Sequence, residues 1–152
     1  MSSLADLPRT VQMELNDLFV GDLIGAGTYR EVYAHALDPS LVVKVELRPR
    51  GFSNVAEWEV WQESEGYPDI RRWLAPCVAI SFSGSVLVQR RTQPITRLPK
   101  ELPDFLCDIK RSNFGRIGRQ VVAHDYGNHP HYTRSFRRWR MRPVSADDMV
   151  RI

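Results

Sequence analysis

Only three of the 21 basic residues in this 152-residue chain are lysines, so each lysine is a position to examine. Lys44 lies in Val42-Val43-Lys44-Val45, an apolar run that reads as a half-buried strand. A lysine there is costly without an anionic partner, so a negative group should lie nearby. Lys110 belongs to Asp108-Ile109-Lys110-Arg111-Ser112-Asn113, which sets an Asp and an Asn five residues apart in a loop, and a further acid follows in Asp125-Tyr126-Gly127. An Asp and an Asn able to bind a metal ion, with a second Asp placed to orient a hydroxyl, are the groups that phosphoryl transfer requires. The protein's task in that reaction is to position groups and neutralise charge. Gly25-Ala26-Gly27-Thr28 adds a turn whose backbone N–H groups could approach a phosphate, although an ordinary glycine hairpin has the same composition.

The elements that must hold these residues can be read from pattern. Residues 19–24, 31–36 and 41–46 are short runs rich in Val, Leu, Ile and Tyr, separated by the glycine turn and by Asp38-Pro39-Ser40, and predict three antiparallel strands. Residues 53–62 predict a helix with an N-cap signal at Ser53-Asn54 and apolar Val55, Trp58 and Trp61 turned toward a core. Pro68 can start a short helical turn through Trp73, and residues 77–82 and 86–90 predict two more strands. The stretch 92–103 is expected to lack regular structure because Pro94, Pro99 and Pro103 interrupt it. Residues 114–116 and 120–124 predict a hairpin. An N-terminal helix is expected over 4–15, capped by Ser2 or Ser3 and closed near Asn16 and Asp17.

Taken in order, these segments resemble the protein kinase family and its small-molecule kinase relatives. Gly25 to Tyr33 is similar to that family's G-x-G-x-x-G-x-V-Y, Val42 to Val45 to V-A-I-K, Asp108 to Asn113 to D-L-K-x-x-N, and Asp125-Tyr126-Gly127 to D-F-G. The resemblance implies an α+β fold: a kinase-like N-lobe over 19–91, with a five-stranded antiparallel sheet and one helix, then a shortened catalytic strip over 92–127. Residues 1–18 would be a helical extension and 128–152 a basic, aromatic tail. It implies ATP and Mg²⁺ as cofactors. Lys44 would hold the α and β phosphates, Asp108 would orient the acceptor hydroxyl, and Lys110 would stabilise the moving phosphoryl group. Asn113 and Asp125 would bind Mg²⁺, Gly25 and Gly27 would let the loop cover the phosphates, and Gln89 and Arg90 would form the hinge for adenine. A helix glutamate should pair with Lys44. Glu57 is assigned because Val60 and Trp61 follow it at helical spacing on its own face, with Glu59 a close second and Glu63 on the same helix, although Glu57 could instead close a capping box with Asn54.

The chain departs from the family in three places. The third loop glycine is Arg30, which narrows the phosphate site; Leu106 and Cys107 replace the His and Arg that usually precede the catalytic Asp; and most of the helical C-lobe is absent. Only about 17 residues separate the hinge from Asp108, and 25 follow Gly127. The tail or another subunit, as in a homodimer, must supply what is missing. The acceptor, protein or small molecule, is not legible. An inert nucleotide-binding module acting on a partner protein through its basic tail is the alternative.

Net charge is +3, yet residues 128–152 carry six arginines against Asp147 and Asp148, so residues 1–127 sum to −1. Tyr132, Phe136 and Trp139 interleave with those arginines. With no nucleic-acid motif beside them, the tail is read as a solvated arginine face whose aromatics dock on the body. Cys77 and Cys107 lack metal or redox spacing and read as small hydrophobes. His124, His129 and His131 cluster, but a zinc site would need a fourth ligand that the sequence does not place. No basic, apolar leader and no membrane-length apolar run is present, so a cytoplasmic protein is expected.

Overall fold

Five strands form one antiparallel sheet in the order β1-β2-β3-β5-β4: β1 Val20–Ala26, β2 Arg30–His35, β3 Leu41–Glu46, β4 Cys77–Ile80 and β5 Val86–Arg90. The computed structural model describes residues 6–47, 51–127 and 136–151; Ser2, Ser3, Leu4, His129, His131 and Tyr132 therefore lie outside the described residues. Central β3 and β5 fall on the residues expected of them, because Val and Leu dominate both and neither holds a turn former. Their register sets Lys44 opposite Leu87 and Val42 opposite Gln89. The first hairpin is tighter than the sequence suggests. Gly27 N–H donates to the Arg30 carbonyl at 2.8 Å, which carries β1 through Gly25 and starts β2 at Arg30 rather than Glu31.

Helix α2, Ser53–Glu63, packs on the sheet through β3, β4 and β5. It starts differently from the sequence expectation. The cap position is Phe52, in left-handed conformation at φ 53°, and no side chain caps from there. The Glu46 carboxylate at the end of β3 accepts the Asn54 N–H at 2.7 Å instead, placing an anion where the helix dipole favours one. Asn54 turns its amide to the Lys44 and Ser85 carbonyls. The buried face is Ser53, Asn54, Glu57 and Val60, while Trp58 and Trp61 are only partly buried at the margin of the core. The face with the tryptophans is thus not the deepest one, because the sheet beneath α2 carries a lysine that needs polar partners.

A second layer completes the α+β fold. After the short α3, Pro68–Arg71, come β6 Glu101–Pro103, the hairpin β7 Phe114–Ile117 with β8 Gln120–Ala123, β9 Met141–Pro143 and α4 Ala146–Val150. Its core joins Ile70, Leu74, Leu102, Phe105, Leu106 and Phe136. The stretch 92–103 does contain regular structure, contrary to expectation: β6 pairs with β9, Glu101 opposite Pro143 and Pro103 opposite Met141. Each proline ends its strand, where a missing N–H costs no ladder bond. The aromatics after residue 135 dock on the body. Phe136 and Trp139 meet Phe105 edge-on at 5.8 and 5.6 Å, and Trp139 Nε1 donates to Asp69 at 2.9 Å. Helix α1, Arg9–Phe19, begins after Pro8 and runs to the first strand, later at both ends than the pattern suggests. No described helix is long and apolar enough to cross a membrane.

Candidate functional site

Lys44 finds the anion that its position demands. Its Nζ lies 2.5 Å from Glu57 Oε1 and donates also to the His124 carbonyl. Of the three helix glutamates it is Glu57, with no exposed surface, that reaches the strand; Glu59 and Glu63 are exposed. Glu57 accepts from Gln89 Nε2 at 2.8 Å on Oε1 and from Arg30 at 2.9 Å on Oε2. The Arg30 fork continues to Asn54 Oδ1 at 3.1 Å and to Asp125 Oδ1 at 2.7 Å. Lys44, Glu57, Arg30 and Asp125 thus form a chain of alternating charge that is neutral in sum. Burial would raise the Glu57 pKa, but Lys44 and Arg30 outweigh it and hold the carboxylate below its ordinary range. Burial pushes Lys44 down, which Glu57 only partly offsets. For Arg30, burial acts downward and is outweighed by Glu57 and Asp125, so its pKa rises.

The loop after β6 builds a second cluster. Asp108 sits in left-handed conformation at φ 46°, which aspartate tolerates better than most residues. Asn113, buried at the end of a short 3-10 turn, donates Nδ2 to both the Asp108 carbonyl and its Oδ2 at 2.9 Å. Lys110 Nζ is 3.3 Å from Oδ2, and Arg151, from just beyond α4, is 3.2 Å from Oδ1. Burial would raise the Asp108 pKa, but the Asn113 bond and the two cations lower it, so the group is an anion. His124 joins the clusters: its ring bonds Thr92 Oγ1 and the Ser112 carbonyl, each at 2.7 Å. Burial, then Lys44, lowers its pKa, so the ring is neutral, donating from Nε2 and accepting at Nδ1.

Arg30, Lys44, Asp125 and His124 of the first cluster and Lys110 and Asn113 of the second line one cleft of ≈ 1280 Å³ between the glycine turn and the 92–95 and 110–114 segments, whereas Glu57 and Asp108 are not part of its lining. Arg30, Lys44, Arg90, Arg91, Lys110 and Arg111 line it against a single acid, Asp125. Gly25 and Gly27 line its roof, and neither needs to be glycine for the fold: both have ordinary φ, and an added Cβ meets nothing closer than 3.9 and 3.7 Å. Room left by glycine without a backbone reason is what close approach of a ligand requires. Gly127 is the opposite case, since a Cβ there would run into the Ser53 carbonyl oxygen under α2. Tyr126, buried beside it, donates to the Ala75 carbonyl at 2.7 Å and anchors the segment that presents Asp125.

Gln89 and Arg90 stand differently from the other assigned residues. Both line the cleft, but Gln89 directs its side chain to Glu57, and Arg90 N–H already donates to the Pro76 carbonyl. Asp125 Oδ2 and Asn113 Oδ1 accept no hydrogen bond among the described residues. Two such oxygens suit Mg²⁺ shared with phosphates, which commonly takes one or two protein ligands and completes its shell from substrate and water. No group of three or more His, Cys, Asp or Glu that could hold a metal exists among the described residues. The roles of Glu46 and Arg151 were not foreseen, and no local signal marks either; Arg30 was visible only as a missing glycine. The chain matches no known protein-family model and no curated protein.

Proposed function

We propose that the chain is a minimal kinase-like phosphotransferase that binds ATP with Mg²⁺ and transfers the γ-phosphoryl group to a hydroxyl acceptor. The supporting observation is that Lys44, held by Glu57, and Lys110 and Asn113, both bonded to Asp108, line one cationic cleft roofed by glycines. A polyphosphate is the ligand that such charge favours. In this reading Glu57 keeps Lys44 extended toward the phosphates, and Asp108 accepts the hydrogen bond of the acceptor hydroxyl and aligns its oxygen. Asn113 fixes the Asp108 rotamer and backbone, and Lys110 faces the charge that develops on transfer. Asp125 and Asn113 would hold the magnesium, which neutralises phosphate charge when bound.

The test is transfer of label from γ-labelled ATP to the protein itself, to small hydroxyl compounds and to a cell extract. Transfer by the wild type, reduced at least about 100-fold in Asp108→Asn, is expected. Binding of ATP and Mg²⁺ with no transfer to any acceptor would overturn it in favour of a nucleotide-binding module without chemistry, the reading that the occupied Asp125 carboxylate favours.

A further inference from the structure

The position where the glycine motif would leave empty space carries the longest cationic side chain available, and that side chain is not solvated. Arg30 is buried, with three acceptors around its fork: Asn54, Glu57 and Asp125. The Asp125 contact, 2.7 Å between charged partners, is the shortest of the three and belongs to the strong class of charge-assisted bonds. We infer that Arg30 is an internal counter-ion that holds Asp125 Oδ1 in the nucleotide-free site and by its charge opposes a divalent cation at the free Oδ2 until a polyphosphate draws the guanidinium away, so that cation and nucleotide bind together. The inference rests on the nucleotide reading of the cleft.

Two features make the exchange workable. Glu57 Oε1 is held by Lys44 at 2.5 Å and by Gln89 at 2.8 Å, and Oε2 faces the Tyr126 N–H at 3.4 Å besides Arg30, so Arg30 can give up Asp125 toward the cleft that it lines while its fork stays on the buried Glu57 carboxylate. Asp125 keeps about a third of its surface exposed, so an incoming ion can reach it. A cation arriving alone would meet a guanidinium already on its carboxylate and Lys44 behind it, and like-charge repulsion opposes entry. A polyphosphate reverses that balance by supplying new acceptors for Arg30 and negative charge for the cation.

Mn²⁺ binding, followed by the spin-resonance signal of the free ion, tests this without any reading of activity. Arg30→Gln is expected to bind Mn²⁺ alone at least tenfold more tightly than the wild type. Adding Asp125→Asn should abolish the gain, and in the wild type a non-hydrolysable ATP analogue should restore tight Mn²⁺ binding. Equal affinities of wild type and Arg30→Gln for Mn²⁺ alone, both folded by circular dichroism, would overturn the inference, as would a gain that survives Asp125→Asn. Should Arg30→Gln not fold, Arg30→Lys replaces the fork by a single ammonium and is expected to gain at least threefold, no gain again being contrary. If the wild type does not bind the analogue with or without Mn²⁺, the nucleotide reading and the joint-binding half fail, while the metal-only comparison still decides whether Arg30 shields Asp125.

Discussion

Lys44 was legible as a residue needing an anion because its neighbours are Val42, Val43 and Val45. Which anion answers it is fixed by depth: Glu57 lies on the buried face of α2, whereas Glu59 points to solvent. The sequence could not show that Glu57 serves two cations, because Arg30 is 27 residues away and joins it only through the hairpin. His124 carries a prediction at this scale. Its pKa in the fold is lowered by burial and by Lys44, whereas the unfolded chain titrates near ~6.5. On acidification the unfolded state takes the proton first, so stability is lost as pH falls below that value. Glu57 and Asp108, also lowered in the fold, add a second loss below about pH 4.5. Melting temperature should hold between pH 8 and 7 and fall by pH 5.5. In His124→Asn, each profile taken relative to its own value at pH 8, the fall over that window should disappear; equal slopes in the two proteins would refute the assignment.

Elements rich in one signal were legible, and those that depend on distant partners were not. β3 and β5 could be read because each is a short Val- and Leu-rich run next to a turn signal, and the β7–β8 hairpin because Gly118 takes the positive φ of its turn. β6 and β9 escaped because each is three residues long, holds a proline and pairs with a segment about 40 residues away. The N-cap signal read at Ser53-Asn54 is not how α2 starts, since the anion at its N-terminus, Glu46, comes from another element. The residue left at the cap, Phe52, is exposed and left-handed, a conformation costing roughly 1–2 kcal/mol for most side chains. Phe52→Gly is therefore expected to stabilise the protein by about 0.5–1 kcal/mol after the added freedom of the unfolded chain. Urea denaturation reads this directly, and a destabilised variant would mean that Phe52 makes a contact outweighing its strain.

For the whole molecule, charge and aromatic content foretold a tail whose aromatics dock, but not that it is built into the second layer. β9 closes on β6, Phe136 fills the space against Phe105 and Tyr67, and Arg151 reaches Asp108. Removing residues after Gly127 would strip the core along with the surface arginines, so truncation cannot separate a docking role from stability. Phe136→Ala isolates the packing term. For a buried phenylalanine the loss is about 3–5 kcal/mol, a large share of the roughly 5–15 kcal/mol of a typical domain. A shift of the urea midpoint equivalent to less than about 1 kcal/mol would show that the segment does not hold the core.

The cleft as a polyphosphate site is the claim on which the rest depends, and calorimetric titration of ATP with Mg²⁺ into the full-length protein tests it most directly. The wild type should bind one nucleotide saturably, and Lys44→Met should bind at least tenfold more weakly while remaining folded. Absence of binding to the wild type at millimolar nucleotide, or equal affinity in the two proteins, would contradict the account.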